Sequence, residues 1–567
     1  MQGAGHGRSC VGFHRLGWHT CFFNLLQTSR NQIHYSRLQY NTMNTLVSIC
    51  AGLAAAYAFL WSLLRFTQDE REPPAMHTTI PFISPLISMY SAGIRYWSMN
   101  SRLPIYTLRV PGMRLYIVNS TELIPKIQRQ TRIFSFSPVM IRLVSTMTGL
   151  SKEGHETASY EPLESHGWAL GIARTIHHNL APGPRLDVLN RRSVEYISES
   201  LNRFAVGEEP KIMSMYKWIT HQVLLATTEG VYGPHNPYRD PAMIDAWRHF
   251  EPGIIPLLVG IGPSLIAGRF IKARDIVEKS YERYFRDGWH HHPDVPPFTK
   301  ERMRFDEERG LSVTDLAKME TATSIGILAN TLPGTFWLVY HIVSDPEVLE
   351  DCRRELFSAV KISDDGDTYE VDMTCVKTSC PILFSTFQEV FRFRGTGVSA
   401  RMMMDDFLLD DTYLLKKGNI VLIPASVQHG LSSAWGDNVH EFYHKRFLPG
   451  HSGAKGKRHN PVAFRGFGGG STLCPGRHFA ATEILAFASL IIMRFNIRPV
   501  QGYWQTPTVE NGNAAISIQT PDQDFDVEIE PRDEKRWVVT FSGSDKPMDI
   551  SAEDIEARED KKVEDIH

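Results

Sequence analysis

The chain reads as a mainly α-helical protein with small β-sheets, carried behind one N-terminal transmembrane helix. Three observations point there. Residues 46–64, LVSICAGLAAAYAFLWSLL, run 19 positions without a charge, enough to cross a hydrocarbon core. Residues 324–340 and 479–493 are apolar over a helix length. Residues 103–119, LPIYTLRVPGMRLYIVN, form two strand-like runs around Pro111-Gly112, a hairpin pattern.

Residues 1–42 carry Arg8, Arg15, Arg30 and Arg37 and no acid. That composition suits a mitochondrial presequence. Ahead of a membrane span it would instead keep the N-terminus cytosolic and send the rest of the chain to the lumen. A start at Met43 removes the conflict, so 1–42 is expected to be a gene-model extension or dispensable. Residues 43–66 form the anchor, ended by Arg65 and the charged run from Asp69 to Glu72. Pro73, Pro74, Pro81 and Pro85 follow as a stiff hinge.

Further along, residues 166–180 are expected to be helical up to Pro182, as are residues 213–230. Residues 250–271 form an apolar, lid-like stretch. Trp289-His290-His291-His292-Pro293 resembles a metal site, but consecutive histidines point apart, so it reads as a solvated loop. Asp345-Pro346 opens a charged helix to about residue 360, and 364–372 reads as an acidic loop. Residues 532–567 read as a charged, partly disordered tail.

A formal net charge of −3 and no basic stripe exclude nucleic acid as a partner. Seven scattered cysteines do not make a disulfide framework and point to a reducing compartment. Cys375 and Cys380 read as free thiols, and His429 is given no catalytic role.

The chemistry concentrates at FGGGSTLCPGR, residues 467–477. Phe467, Gly470, Cys474 and Gly476 fit the pattern F-x-x-G-x-x-x-C-x-G. Glycines 468–470 let the backbone turn closely around a sulfur. Peptide N–H groups can stabilise a buried thiolate there, and the following helix adds its dipole. No second Cys or His stands at zinc-finger spacing from Cys474.

This run resembles the loop that gives haem iron its axial thiolate in the cytochrome P450 family. The resemblance implies the cytochrome P450 fold over residues 67–531, with haem as cofactor and Cys474 as iron ligand. Phe467, Gly470, Gly476 and Arg401 would be the other cofactor-binding residues, Arg401 through a haem propionate. Glu389 and Arg392 match E-x-x-R and, with Arg446 in Phe442-Tyr-His-Lys-Arg-Phe447, imply a structural triad; His444 stands where the family usually has Pro. Thr472 occupies a position that is often Arg or His, so one expected propionate partner lacks its charge. Residues 134–150 correspond to a flexible loop over the substrate.

The distal helix departs most. Against [A/G]-G-x-[D/E]-T, the segment from Ala329 has Asn330, Leu332 and Pro333 where Gly, the acid and Thr are expected. Both proton-relay side chains are missing. The variant resembles the branch containing sterol 7α- and 12α-hydroxylases and prostacyclin synthase. Asn330 becomes the expected distal polar group, helped by Thr331 and Thr335; Ala329, Thr396 and Val398 are expected at the substrate. The resemblance implies a microsomal, fungal monooxygenase: endoplasmic reticulum membrane, catalytic domain cytosolic, electrons from NADPH through a reductase, and a lipophilic, polycyclic substrate of secondary metabolism. A peroxide isomerase needing no external electrons, and a non-catalytic haem sensor, remain as alternatives.

Overall fold

The uncharged N-terminal run lies within one α-helix, α1 (Trp18–Thr67), in a computed structural model of the protein. The structure describes residues 18–93, 96–97, 102–207, 209–259, 267–364, 366–451, 460–511, 513, 515–543, 547–551 and 553–554. Within α1, residues Thr42–Thr67 have a mean hydropathy of 1.9 and no buried residue, so this stretch is long and apolar enough to cross a membrane. Residues 1–17 lie outside the described residues. Residues 18–42 are not set apart from the anchor: no Gly or Pro interrupts the sequence from Trp18 to Ala51, and the helix runs through.

A separate unit comprises residues 70–77 and 85–567. Its strands are β1 (Ile105–Val110), β2 (Met113–Val118), β3 (Phe134–Ser135), β4 (Lys211–Ser214), β5 (Val360–Ile362), β6 (Thr368–Asp372), β7 (Val398–Met403), β8 (Phe407–Leu409), β9 (Tyr413–Leu415), β10 (Ile420–Pro424), β11 (Phe495–Pro499), β12 (Asp526–Pro531) and β13 (Arg536–Thr540). The largest sheet runs β1-β2-β10-β7-β3. Its hairpin pairs Val110 with Met113 across Pro111-Gly112, where Gly112 takes φ +71°. Strand β7 pairs antiparallel with β10, setting Arg401 opposite Val421.

The helices that build the site are α2 (Trp168–Leu180), α3 (Met215–Tyr232), α4 (Pro297–Glu307), α5 (Val313–Leu328), α6 (Thr331–Val343), α7 (Pro346–Leu356), α8 (Pro381–Phe393) and α9 (Arg477–Arg494). Helix α9 is almost wholly buried, as its continuous apolar sequence requires. Its one central acid, Glu483, touches only Thr227 of α3; burial pushes its carboxyl up to about 8. Helix α5 is pinned by a buried pair, Arg302 to Glu320 at 2.7 Å, to which Tyr232 also donates.

Several expectations change. Residues 134–150 are not a loop: Ser137–Thr148 is a helix closed by Gly149 in the left-handed region. Within 364–372, residues 368–372 form β6, because β5 and β13 flank it as partners. Of 250–271, Ile254–Val259 is helical and 260–266 lie outside the described residues. His290 is buried rather than solvated; it pairs with Glu307 at 2.8 Å, and His291 converges on the same carboxylate at 3.9 Å. A one-turn 3-10 helix at Trp289–His291 brings the two rings together.

The reading of 532–567 as a tail also needs correction. Strand β13 pairs parallel to β6, burying Trp537. Met548 and Ile550 enter the main core. RWVVT supplies the β-branched and aromatic residues a strand needs. Folded structure is therefore described as far as Asp554; residues 544–546, 552 and 555–567 lie outside the described set.

Candidate functional site

Cys474 sits three residues before the start of α9, with Gly476 as the N-cap. Its N–H donates to the Phe467 carbonyl at 2.9 Å, closing the loop. Gly468 and Gly470 take φ +80° and +56°. A Cβ on Gly468 would stand 2.5 Å from the Thr472 carbonyl oxygen, and one on Gly470 2.7 Å from Gln128. The turn therefore requires glycine at both places. Gly476 has an ordinary backbone; a Cβ there would lie 3.9 Å from the Cys474 sulfur, on the cavity wall. Burial pushes the Cys474 thiol up, while the Gly476 N–H and Arg477 pull it back. Phe467 stacks on Phe391 of α8 at 4.5 Å, and both rings line the same cavity as Cys474.

The E-x-x-R pair is buried with its third member. Glu389 receives Nε and Nη2 of Arg392 at 2.7 Å each, and Nε of Arg446 at 3.0 Å. Both guanidiniums then spend their remaining N–H groups on backbone carbonyls, including those of His429, Val439, Trp435 and Asn438. One carboxylate so fixes α8 to the 435–446 segment before the thiolate loop. His444 accepts the place of the family's Pro by packing against Asp351 of α7 at 3.1 Å, with Lys445 on the same carboxylate at 2.7 Å.

Arg401 is fully buried on β7. Its Nη2 donates to the Gly469 carbonyl at 2.9 Å and the Thr472 hydroxyl at 3.0 Å, while Nε and Nη1 have no partner among the described residues. Thr472 thus serves as an acceptor that orients Arg401. His429 is structural: Nδ1 meets the Gly395 carbonyl at 2.9 Å and Nε2 accepts from the Arg465 N–H at 2.9 Å. Burial lowers its pKa to about 3, so the ring is neutral.

The Cys474 sulfur opens onto a cavity of about 460 Å³. Its far wall is the junction of α5 and α6, where the helix breaks at Ala329-Asn330. Pro333 lacks an N–H, so the Ala329 carbonyl loses its usual donor four residues on. Asn330 and Thr331 line the cavity with Gly326 and Ile327; Val398 lines it from β7. Thr335, Ala329 and Thr396 do not. Thr335 is buried behind the wall, donating to the Thr331 carbonyl at 2.8 Å. Ala329 points into the core, and the Thr396 backbone is tied to Ser517.

Asn330 is committed to the backbone. Its Oδ1 accepts from the N–H groups of Ser517 and Ile518, at 2.7 and 3.1 Å. Only its Nδ2 remains to face the cavity, so it offers a donor and no proton relay. The Thr331 hydroxyl likewise donates to the Ile327 carbonyl at 3.1 Å. Among the described residues, the cavity wall carries two ionisable groups, Cys474 and Arg465. Arg465 escaped the sequence reading, as did the tail contacts. Glu553 accepts from the Gly470 N–H at 2.6 Å, and Asp554 pairs with Arg477 at 2.6 Å and His478 at 3.5 Å.

A helical unit with small sheets, a glycine-bound cysteine facing a mostly apolar cavity, and buried unpaired guanidiniums beside it define a haem-thiolate protein. These residues fit the group: a soft anionic ligand, apolar walls and donors for carboxylates. The chain belongs to the cytochrome P450 family, and it is an oxidoreductase. Residues 275–526 match the family's profile. The chain is 31% identical over 500 residues to the cytochrome P450 monooxygenase nodJ of Hypoxylon pulicicidum, covering 86% of this chain and 95% of the relative. A cytochrome P450 monooxygenase of Gibberella zeae is 26% identical over 493 residues, covering 84% and 92%. The cholesterol 7-alpha-monooxygenase of Cricetulus griseus is 26% identical over 282 residues, covering 47% and 56%. Haem is the family's cofactor, and NADPH electrons passed through a reductase are its standard arrangement.

Proposed function

We propose that the protein takes electrons from NADPH through NADPH–cytochrome P450 reductase and oxidises a lipophilic, polycyclic substrate, sterol- or terpenoid-like, in secondary metabolism. The observation that carries this reading is the cavity: the Cys474 sulfur on one wall, apolar side chains around it, and one amide, Asn330, opposite. The cholesterol 7-alpha-monooxygenase among the relatives supports a rigid ring system. Helix α1 would be the single-pass anchor in the endoplasmic reticulum membrane, with the catalytic domain cytosolic.

Bound at Cys474, haem supplies dioxygen activation and oxygen insertion into a C–H bond. The chain's residues do the rest. Cys474 holds the iron, and Phe467 with Phe391 keeps water from the sulfur. Arg401 binds a propionate. Glu389, Arg392 and Arg446 hold the loop's scaffold. Asn330 ties the helix break to residues 517–518 and presents Nδ2 to an oxygen of the bound molecule; Thr331 closes the same wall. Val398 contacts substrate. Among the described residues the distal wall carries no acid, so no carboxyl of this chain relays a proton there.

The test is expression with reductase and NADPH, followed by untargeted product profiling. Cys474→Ser is expected to abolish both product and the red-shifted carbonyl band of thiolate-bound haem. Survival of that band in the variant would overturn the ligand assignment. The lack of an acid–alcohol relay favours a second reading, a peroxide isomerase. Turnover of a hydroperoxide without NADPH, and none of the ring substrate with it, would select that reading.

A further inference from the structure

We propose that Arg465 supplies the second cationic seat for a haem propionate, in place of the charge that Thr472 cannot bring. This rests on membership of a haem family and not on the proposed substrate or reaction.

Arg465 lies two residues before Phe467, outside the loop motif, yet it lines the same cavity as Cys474. It is 6% exposed, and among the described residues its Nε and Nη2 have no hydrogen-bond partner. Arg401 beside it leaves Nε and Nη1 unpaired, and the Gln128 amide nitrogen is buried and unpaired next to Gly469. Five buried N–H-bearing atoms without acceptors are costly unless an anion meets them. Haem carries two carboxylates, and two guanidiniums converge here. The placement is built: the Arg465 N–H is held by the neutral ring of His429, itself fixed to Gly395. That bond explains a buried histidine with no chemistry of its own.

The rival acceptor is Glu553, which approaches from the C-terminal segment. Its Oε1 accepts from the Gly470 N–H, and its charge supports both arginines. No hydrogen bond joins it to either guanidinium among the described residues. Thr472, which takes the Arg401 Nη2, cannot neutralise charge.

The experiment measures haem loss from the purified full-length holoprotein to an excess of a haem-scavenging apoprotein. It is run with native haem and with haem dimethyl ester, whose propionates carry no charge. Arg465→Met is expected to speed loss of native haem by about 10- to 100-fold, the range of one hydrogen bond to a charged group. Arg465→Lys should fall between it and the wild type, and Glu553→Gln should stay near the wild type. With the dimethyl ester, wild type and Arg465→Met should lose the group at the same rate. Where Arg465→Met does not fold, the same comparison is read from Arg465→Lys. The proposal fails if the Arg465 variant keeps native haem like the wild type. It fails equally if the variant sheds the ester faster than the wild type does, because Arg465 would then support the loop and not the propionate. Loss from Glu553→Gln matching that from Arg465→Met would assign the arginines to the tail.

Discussion

The two walls of the cavity are built on opposite terms. Behind the Cys474 wall charge is crowded: Glu389 between two arginines, Arg401 and Arg465 beside the glycine turn, and Glu553 and Asp554 from the C-terminal segment. Among the described residues the Asn330 wall has no ionisable side chain, and the Asn330 Oδ1 and Thr331 hydroxyl are bonded to backbone. The first wall must hold an anionic sulfur and a dicarboxylate in one geometry, so ionic anchors are retained despite their desolvation cost. The second must accept an apolar molecule, where a stray charge would be expensive. Ligand chemistry is thus set on one side, and selectivity by shape and a single amide on the other.

The contrast can be broken in four ways. Glu389→Gln should be the most damaging, because two buried guanidiniums lose their shared counter-charge; about 3–5 kcal/mol is expected, read by thermal unfolding and by yield of haem-loaded protein. A mild loss would mean that the backbone carbonyls alone hold α8. Asn330→Leu leaves two backbone N–H groups unpaired, at about 1–3 kcal/mol. It should raise KM for a ring substrate while the thiolate spectrum stays unchanged; a shifted spectrum would show that the walls are not separable.

Glu483→Gln tests the scaffold under the thiolate through pH. The unfolded carboxyl ionises near pH ~4.3, whereas the folded one stays protonated to about 8. Between those values the unfolded state binds fewer protons, so stability falls as pH rises. The variant should flatten that decline between pH 5 and pH 8. An unchanged slope in denaturant titrations would show that Glu483 ionises in the fold. The smallest effect belongs to Asp554→Asn. Burial works to raise that carboxyl, but His478 and Arg477 outweigh it and hold it well below its usual range. Its stabilisation is present above the ordinary carboxylate pKa and lost as pH falls through the lowered one. At neutral pH the variant should cost about 1 kcal/mol or less, and the wild type should converge on it in acid.

Legibility followed sequence distance. The thiolate loop was readable because Phe467, Gly470, Cys474 and Gly476 act within ten residues. Glu389 and Arg392 were readable as i, i+3 neighbours, but their meeting with Arg446 came only from the resemblance. Asn330 was found, yet its commitment was not, because its partners lie 187 and 188 residues away. Thr335, Ala329 and Thr396 were misplaced by a helix turn or a loop bond that one-dimensional patterns do not encode. Arg465 gave one usable signal, a lone arginine among small and aromatic residues next to a cofactor loop. The tail was misread from its overall charge, although RWVVT already had a strand's composition.

The position of Glu553 and Asp554 has a consequence for synthesis. The carboxylates that clasp Gly470 and Arg477 are made 83 and 77 residues after the groups they hold. While the ribosome still shelters that segment, the back of the thiolate turn lacks its carboxylates. A truncation ahead of Glu553 would remove both carboxylates and leave every residue of the cysteine loop in place.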